Sequence, residues 1–208
     1  MTVPTLARAM REGSRAEHVA AESAPFVADV MTGAVAPATY ALYLARLREV
    51  YVALEDAVAA HRDRPELASL YDDRLLRLGA IDADLAHWAT HAARDAAARS
   101  PAVAAYVDRI ERATDWPELL VAHHYTRYLG DLSGGRILAR RLCDAFGPGA
   151  ALAFYDFPHI EKPETYKRAY RDALDALPLD TWQRRRVVRE VRAAFRLNRA
   201  LLEELPAA

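Results

Sequence analysis

Three glycines, Gly130, Gly134 and Gly135, fall within six residues of HHYTRYLGDLSGGRILARRL, a stretch otherwise apolar and helical in pattern. Each interior glycine costs a helix roughly 0.5–1 kcal/mol against alanine. No proline ends the helix, and the periodicity resumes at Ile137, so the glycines suggest backbone brought close to something flat or bulky. Gly130 and Gly134 share a face at i and i+4. A kink there would open a slot with Asp131 at its edge and Arg127 one turn earlier. The same glycines would also serve a kinked helix packed closely on a neighbour, and spacing alone does not choose.

Seven histidines are candidate ligands for a metal. His18, in REGSRAEHVAAES, has Ser14 one turn before it and Glu22 one turn after, a polar flank able to hold an imidazole N–H or a water beside it. For a lone helical histidine a surface or packing role is the default. His123 and His124 are neighbours whose side chains point about 100° apart on a helix and cannot share one site. His87 and His91 lie at i and i+4, but HWATH lacks the glutamate of a zinc protease, and the pair is read as incidental.

The elements that would carry these residues are all helical. Alanine, leucine and arginine dominate, β-branched runs are scarce, and eight glycines leave few hairpin signals. The 208 residues, 52% hydrophobic, suffice for one domain with one core. Helical periods run over 4–26, 37–61, 74–99, 101–112, 117–146, 163–176 and 179–205, with prolines 37, 101, 117 and 163 marking helix starts. FYDFPHIEKP at 154–163 breaks the period and reads as an ordered loop. The formal charge of −1 gives no reason to expect nucleic acid. One cysteine, Cys143, no secretory leader and no span-length apolar run predict a cytoplasmic protein without a membrane anchor. A monomer is expected. The last helix is locally basic, with seven arginines between Trp182 and Arg199 against Glu190 alone.

The run YTRYLGDLSGG, Tyr125 to Gly135, resembles the signature segment of the haem oxygenases. The blocks YVALE (51–55), DLAHW (84–88), FYDFP (154–158), YKRAYRDAL and AAFRLNRALLEEL appear in the family's order, so the similarity covers about Ala7 to Leu205. It implies a single-domain all-α fold that holds haem b between a proximal N-terminal helix and a kinked distal helix. His18 would then be the iron ligand, a neutral imidazole that leaves the opposite face open to O₂. His123 also occurs in relatives, in a packing or hydrogen-bonding role. Arg11 and Arg15 on the first helix, and Lys167 and Arg171 on the YKRAYRDAL helix, match basic positions facing the haem carboxylates; Arg15 reads equally well as an exposed charge. Ser14, Glu22, Tyr125, Gly135, Phe195 and Asn198 would complete the haem contacts.

On the distal side the resemblance implies that Gly130 and Gly134 hold oxygen bent toward one meso carbon. Asp131 would order the adjacent water, with Tyr51 and Arg127 in the same network. The implied reaction opens haem to biliverdin, the α isomer because Lys167 and Arg171 are both retained, and releases carbon monoxide and ferrous iron. No G-x-G-x-x-G follows a strand, so the electrons must come from a partner, by implication a ferredoxin or flavoprotein reductase; the basic last helix could dock it, and reads at least as well as a solvated arginine-rich face. A protein that stores or senses haem would share His18 and the basic residues, and Asp131 with the glycines argues against it. A thiamin-pyrimidine hydrolase would need Cys143 as nucleophile and leave the signature without purpose. A di-iron carboxylate bundle is disfavoured because no Glu-x-x-His pair occurs.

Overall fold

Prolines set the start of the main helices in the computed structural model, which describes residues 4–207. Pro25, Pro37, Pro101 and Pro163 open α3 (Pro25–Thr32), α4 (Pro37–Ala60), α7 (Pro101–Ala113) and α10 (Pro163–Asp175). At a first-turn position the missing N–H removes no helical hydrogen bond. The remaining elements are α1 (Leu6–Gly13), α2 (Arg15–Glu22), α5 (Leu78–Trp88), α6 (His91–Ala98), α8 (Leu120–His124), α9 (Arg136–Phe146) and α11 (Thr181–Glu203), with short 3₁₀ turns. No strand occurs among the described residues. The all-α expectation holds.

Helix α4 is the axis of the fold. Tyr40, Leu44, Leu47, Tyr51, Leu54 and Val58 form a buried stripe at helical spacing, and Tyr43 and Val50 bury a second face. It packs against α5, α6, α7 and α8. Helix α11, opened by a reciprocal Asp180–Gln183 capping box, packs against α1, α2, α3, α7 and α8.

Three predicted helices are broken, each for a local reason. The 4–26 period becomes α1, α2 and α3. A Cβ on Gly13 would stand 2.7 Å from Val188 Cγ1, so α1 meets α11 at glycine. Ser14 leaves helical geometry next to it (φ −112°, ψ 10°), and Ala24 is extended before Pro25 (ψ 144°). The 74–99 period breaks at Ala89 (ψ 134°), after which Thr90 Oγ1 accepts the Ala93 N–H and caps α6. His87 and His91 thus lie on different helices and cannot clip a metal in the i, i+4 manner. The 117–146 period divides at the glycine segment.

The 154–163 loop is ordered, as expected. Phe154, Tyr155, Phe157 and Ile160 are buried, the Asp84 carboxylate accepts the N–H groups of Ala153 and Phe154 (both 2.8 Å), and Trp88 Nε1 donates to the Ala151 carbonyl (2.6 Å).

Candidate active site

Between α8 and α9 the chain stays right-handed but widens into two π-helical stretches, Tyr125–Leu129 and Asp131–Gly135, joined at Gly130. Such turns are rare and concentrate at functional sites. The glycines therefore do not kink the helix through unusual dihedrals: Gly130 has φ −61° and ψ −51°. A Cβ on Gly130 or Gly134 would meet no atom within 4 Å, and both residues are exposed. Nothing in the folded chain requires glycine at either position, so this face is kept clear for another body. Gly135 differs, because its Cβ would stand 3.2 Å from Tyr155 Cδ1 and 3.9 Å from Asp131 Cβ. There the packing of the fold itself favours glycine.

Behind the open face lies a buried polar network. Tyr51 from α4 donates its hydroxyl to Asp131 Oδ2. Arg127 donates to Asp131 Oδ1 (3.2 Å), to the Tyr51 hydroxyl (3.3 Å) and to Asn198 Oδ1 on α11 (2.7 Å). Burial pushes the Asp131 carboxyl up, while Arg127, the Tyr51 hydroxyl and Arg77 pull it down. Burial and the neighbouring anionic centres push Tyr51 well above its ordinary range, so its hydroxyl keeps its proton. Asp131, Arg127 and Tyr51 thus meet as the sequence suggested. Asn198 joins them through Arg127.

On α2, His18 keeps an exposed side chain (48% accessible) with Nδ1 3.4 Å from Glu22 Oε2. The edge of Phe195, from α11, meets its ring at 5.1 Å between centroids. Ser14 departs from expectation: its buried hydroxyl donates to the Met10 carbonyl (2.8 Å), so it does not flank the imidazole. Among the described residues no group of three or more His, Cys, Asp and Glu could hold a metal ion. An iron would need its other ligands from a ligand such as a porphyrin.

The basic residues of α1 and α10 meet the π segment at both of its ends. Tyr125 is mostly buried, which raises its hydroxyl, and the charges of Arg171 and Arg11 lower it, which brings α10 and α1 together at this residue. Lys167 is buried and reaches Ser133 Oγ (3.3 Å) and Glu164 Oε1 (2.7 Å), tying α10 to the Asp131–Gly135 turn. Arg15 is exposed with no ion pair.

The family model described as Heme oxygenase matches residues 4–204. The chain belongs to the haem oxygenase family. Human heme oxygenase 1 is 38% identical over 205 residues, which are 96% of this chain and 71% of the human protein. The solved heme oxygenase of Leptospira interrogans matches with a TM-score of 0.91 at 37% identity, covering 97% of this chain and 100% of that one. Heme oxygenase-1 of the cyanobacterium Synechocystis, solved in complex with heme, matches with a TM-score of 0.90 at 37% identity over 97% of this chain and 92% of its own. The expected family and fold are both correct.

Around Asp131 and Arg127 lie buried residues that sequence reading did not single out. Tyr43, Tyr106, Tyr128, Tyr155 and Arg77 all sit within electrostatic reach of Asp131 or Arg127. Tyrosines 40, 43 and 51 on α4 were the available signal, too polar to bury together without a reason. His123 and His124 are structural, in line with the sequence reading for His123. His123 Nε2 meets Glu190 Oε1 (3.0 Å), and His124 Nδ1 meets the Tyr170 hydroxyl (2.6 Å) while stacking on that ring. The basic face of α11 is smaller than its charge count suggests. Arg192 and Arg196 pair with Glu17, Arg199 with Glu203 and Arg186 with Glu118, and Arg184 donates to the Leu179 and Asp175 carbonyls, which leaves Arg185 and Arg189 exposed with no ion pair among the described residues.

Proposed function

We propose that this chain is a haem-degrading oxygenase that binds haem b between α2 and the Gly130–Gly135 face and holds its iron through His18. The observation that carries this reading is the clear face at Gly130 and Gly134 with a buried, charge-compensated aspartate at its edge. Bound haem supplies the iron at which O₂ is reduced and the meso carbon that is oxidised, giving biliverdin, carbon monoxide and ferrous iron.

Each residue then has a defined task. Glu22 Oε2, 3.4 Å from His18 Nδ1, would draw that nitrogen's proton toward itself, leave Nε2 for iron and orient the ring. Phe195 holds the imidazole plane from its edge. Gly130 and Gly134 let the ring plane approach the backbone. Each Asp131 oxygen accepts one protein hydrogen bond and keeps a further acceptor site for water. Asp131 would therefore move protons at this face through ordered water and not by direct contact of its own carboxyl. Arg127, clamped by Asn198, fixes the carboxylate in place. Lys167, Arg171 and Arg11 hold the haem carboxylates and so set which meso carbon faces the glycines. Electrons come from a ferredoxin or flavoprotein reductase, to which α11 offers the exposed Arg185 and Arg189. No helix among the described residues is long and apolar enough to cross a membrane, and the reading places a monomeric enzyme in the cytoplasm.

The test compares wild type, His18→Ala and Asp131→Ala, each supplied with haem and a reducing system. His18→Ala is expected to lose the bound-haem spectrum and turnover. Asp131→Ala is expected to bind haem yet form little biliverdin. Full biliverdin yield from Asp131→Ala would favour a role for that residue in packing alone, and no biliverdin from wild type would leave a haem carrier.

A further inference from the structure

Two buried arginines act electrostatically on Asp131. Arg127 is paired with it directly. Arg77, immediately before α5, is 5% exposed, and its guanidinium has no carboxylate partner. Its nitrogens donate only to carbonyls: Nε to Leu75 (2.9 Å), and the two terminal nitrogens to Asp156 (2.5 Å) and Arg74 (3.3 Å). The guanidinium carbon lies 3.8 Å from the centre of the Phe157 ring. A buried cation held by dipoles alone is costly unless an anion lies near. The two carboxylates its charge reaches are Asp131 and Glu55, and Glu55 Oε1 accepts the Arg77 backbone N–H (2.6 Å). The same guanidinium pins the loop that carries Tyr155, whose ring abuts Gly135 beside Asp131 Cβ.

We propose that Arg77 is a positioning residue for Asp131: a second buried cation of the site, whose hydrogen bonds hold the Tyr155 loop against Gly135 and so against the Asp131 side chain. The proposal rests on the reading of Asp131 as the water-ordering group. Within electrostatic reach of Asp131 are Tyr43 and Tyr51 from α4, Tyr106 from α7, Arg127 and Tyr128 from the π segment, Tyr155 from the loop and Arg77 ahead of α5, of which Tyr51 and Arg127 touch it. The tyrosines are neutral, so Arg127 and Arg77 are the only cations in this set. Without Arg77 the desolvated Asp131 has one compensating charge and takes up its proton at higher pH.

The test has a readout that needs no turnover. In haem-free protein carrying labelled aspartate, the Asp131 carboxyl carbon is followed by NMR against pH and assigned with Asp131→Asn. Arg77→Met, which keeps the stem on Phe157 but not the charge, should move the midpoint to higher pH. Arg77→Lys should return it toward wild type. Equal midpoints in all three proteins overturn the proposal.

A second arm uses the solvent-facing cleft of about 370 Å³ that Arg77 lines with Asp73, Arg74, Gly79, Asp156 and His159. Arg77→Ala extends that cleft inward. Millimolar guanidinium should restore the wild-type midpoint and bring the acid limb of the biliverdin-formation profile back to lower pH, whereas urea, planar and neutral, should not. Equal rescue by both, or by neither, overturns the electrostatic role. If Arg77→Met fails to fold by far-ultraviolet dichroism, Arg77→Lys and the guanidinium arm decide. A shifted midpoint with an unchanged biliverdin profile supports Arg77 as stated and refutes the water-ordering role of Asp131, so the two failures are distinguishable.

Discussion

Replacing Gly130 and Gly134 with alanine separates a packing role from a ligand role. Neither glycine has a positive φ, and a Cβ on either meets no atom within 4 Å. Each substitution should therefore recover the usual helical advantage of alanine, about 0.5–1 kcal/mol, or about 1–2 kcal/mol for the pair. For a chain of this length about 1 kcal/mol moves Tm by about 2–4 °C, so the haem-free double variant should melt about 2–8 °C above wild type. The added methyls occupy the face where the ring plane would lie. Overpacking of that kind costs about 1–3 kcal/mol, and haem affinity should fall about 5- to 150-fold. Calorimetry on haem-free protein and a haem titration followed by absorbance give the two numbers. Gly135→Ala is the internal control: its Cβ would press on Tyr155 at 3.2 Å, so it should bring no gain in Tm. A lower Tm for the double variant would show that the glycines serve packing. A higher Tm with unchanged haem affinity and turnover would refute the slot.

His18→Ala should leave the haem-free Tm within about 1–2 °C of wild type, because the side chain is half exposed; a larger loss in a melting curve would indicate a structural histidine. Burial holds His124 neutral in the fold down to about pH 3, whereas in the unfolded chain it takes a proton near pH 6.5. Falling pH between those values therefore favours the unfolded state, on the order of 3 kcal/mol by pH 4.5, and urea melts of wild type against His124→Gln should converge or cross as pH falls. Glu190 shows the opposite sign. Burial alone would raise it, but hydrogen bonds from His123 and Arg109 outweigh that and hold it at about 2, below its ordinary 4.5. Its contribution is complete above about pH 4.5 and is lost as pH falls toward 2, about 3 kcal/mol in all. Glu190→Gln should lose that component, and identical acid unfolding of the two proteins would refute the assignment.

The sequence made the helices legible where proline and apolar spacing agree, as in α4, α7 and α10. It concealed the breaks in α1 to α3, because Gly13 is explained only by Val188, which lies 175 positions away and reaches it through tertiary packing. The π geometry of 125–135 was equally hidden: hydrophobic periodicity over so short a stretch does not separate it from a kinked α-helix. Asp131, Arg127 and Tyr51 could be named in advance because they fall in two of the family blocks. Arg77 could not, since an arginine between two leucines in RLLRLG reads as a solvated charge until its partners prove to be backbone carbonyls. Ser14 misled in the other direction. Its spacing from His18 was right for a second partner, but beside the Gly13 break its hydroxyl turns back to Met10.

The scattered family blocks have a common physical cause. A carboxylate that stays charged while buried must be compensated, and no single helix can present enough partners to one side chain. Tyr51 and Glu55 of YVALE supply a hydrogen bond to Asp131 and an anchor for Arg77. Asp84 and Trp88 of DLAHW hold the backbone of the loop before and within FYDFP. That loop carries Tyr155 to Gly135 and offers the Asp156 carbonyl to Arg77. Asn198 of the C-terminal block closes the far end on Arg127. The signature segment alone would be a glycine-weakened helix with an exposed acid. Only with these four blocks around it does Asp131 become a buried, hydrogen-bonded carboxyl at the rim of a clear face, so disruption of a distant block such as DLAHW should impair the site while leaving His18 untouched.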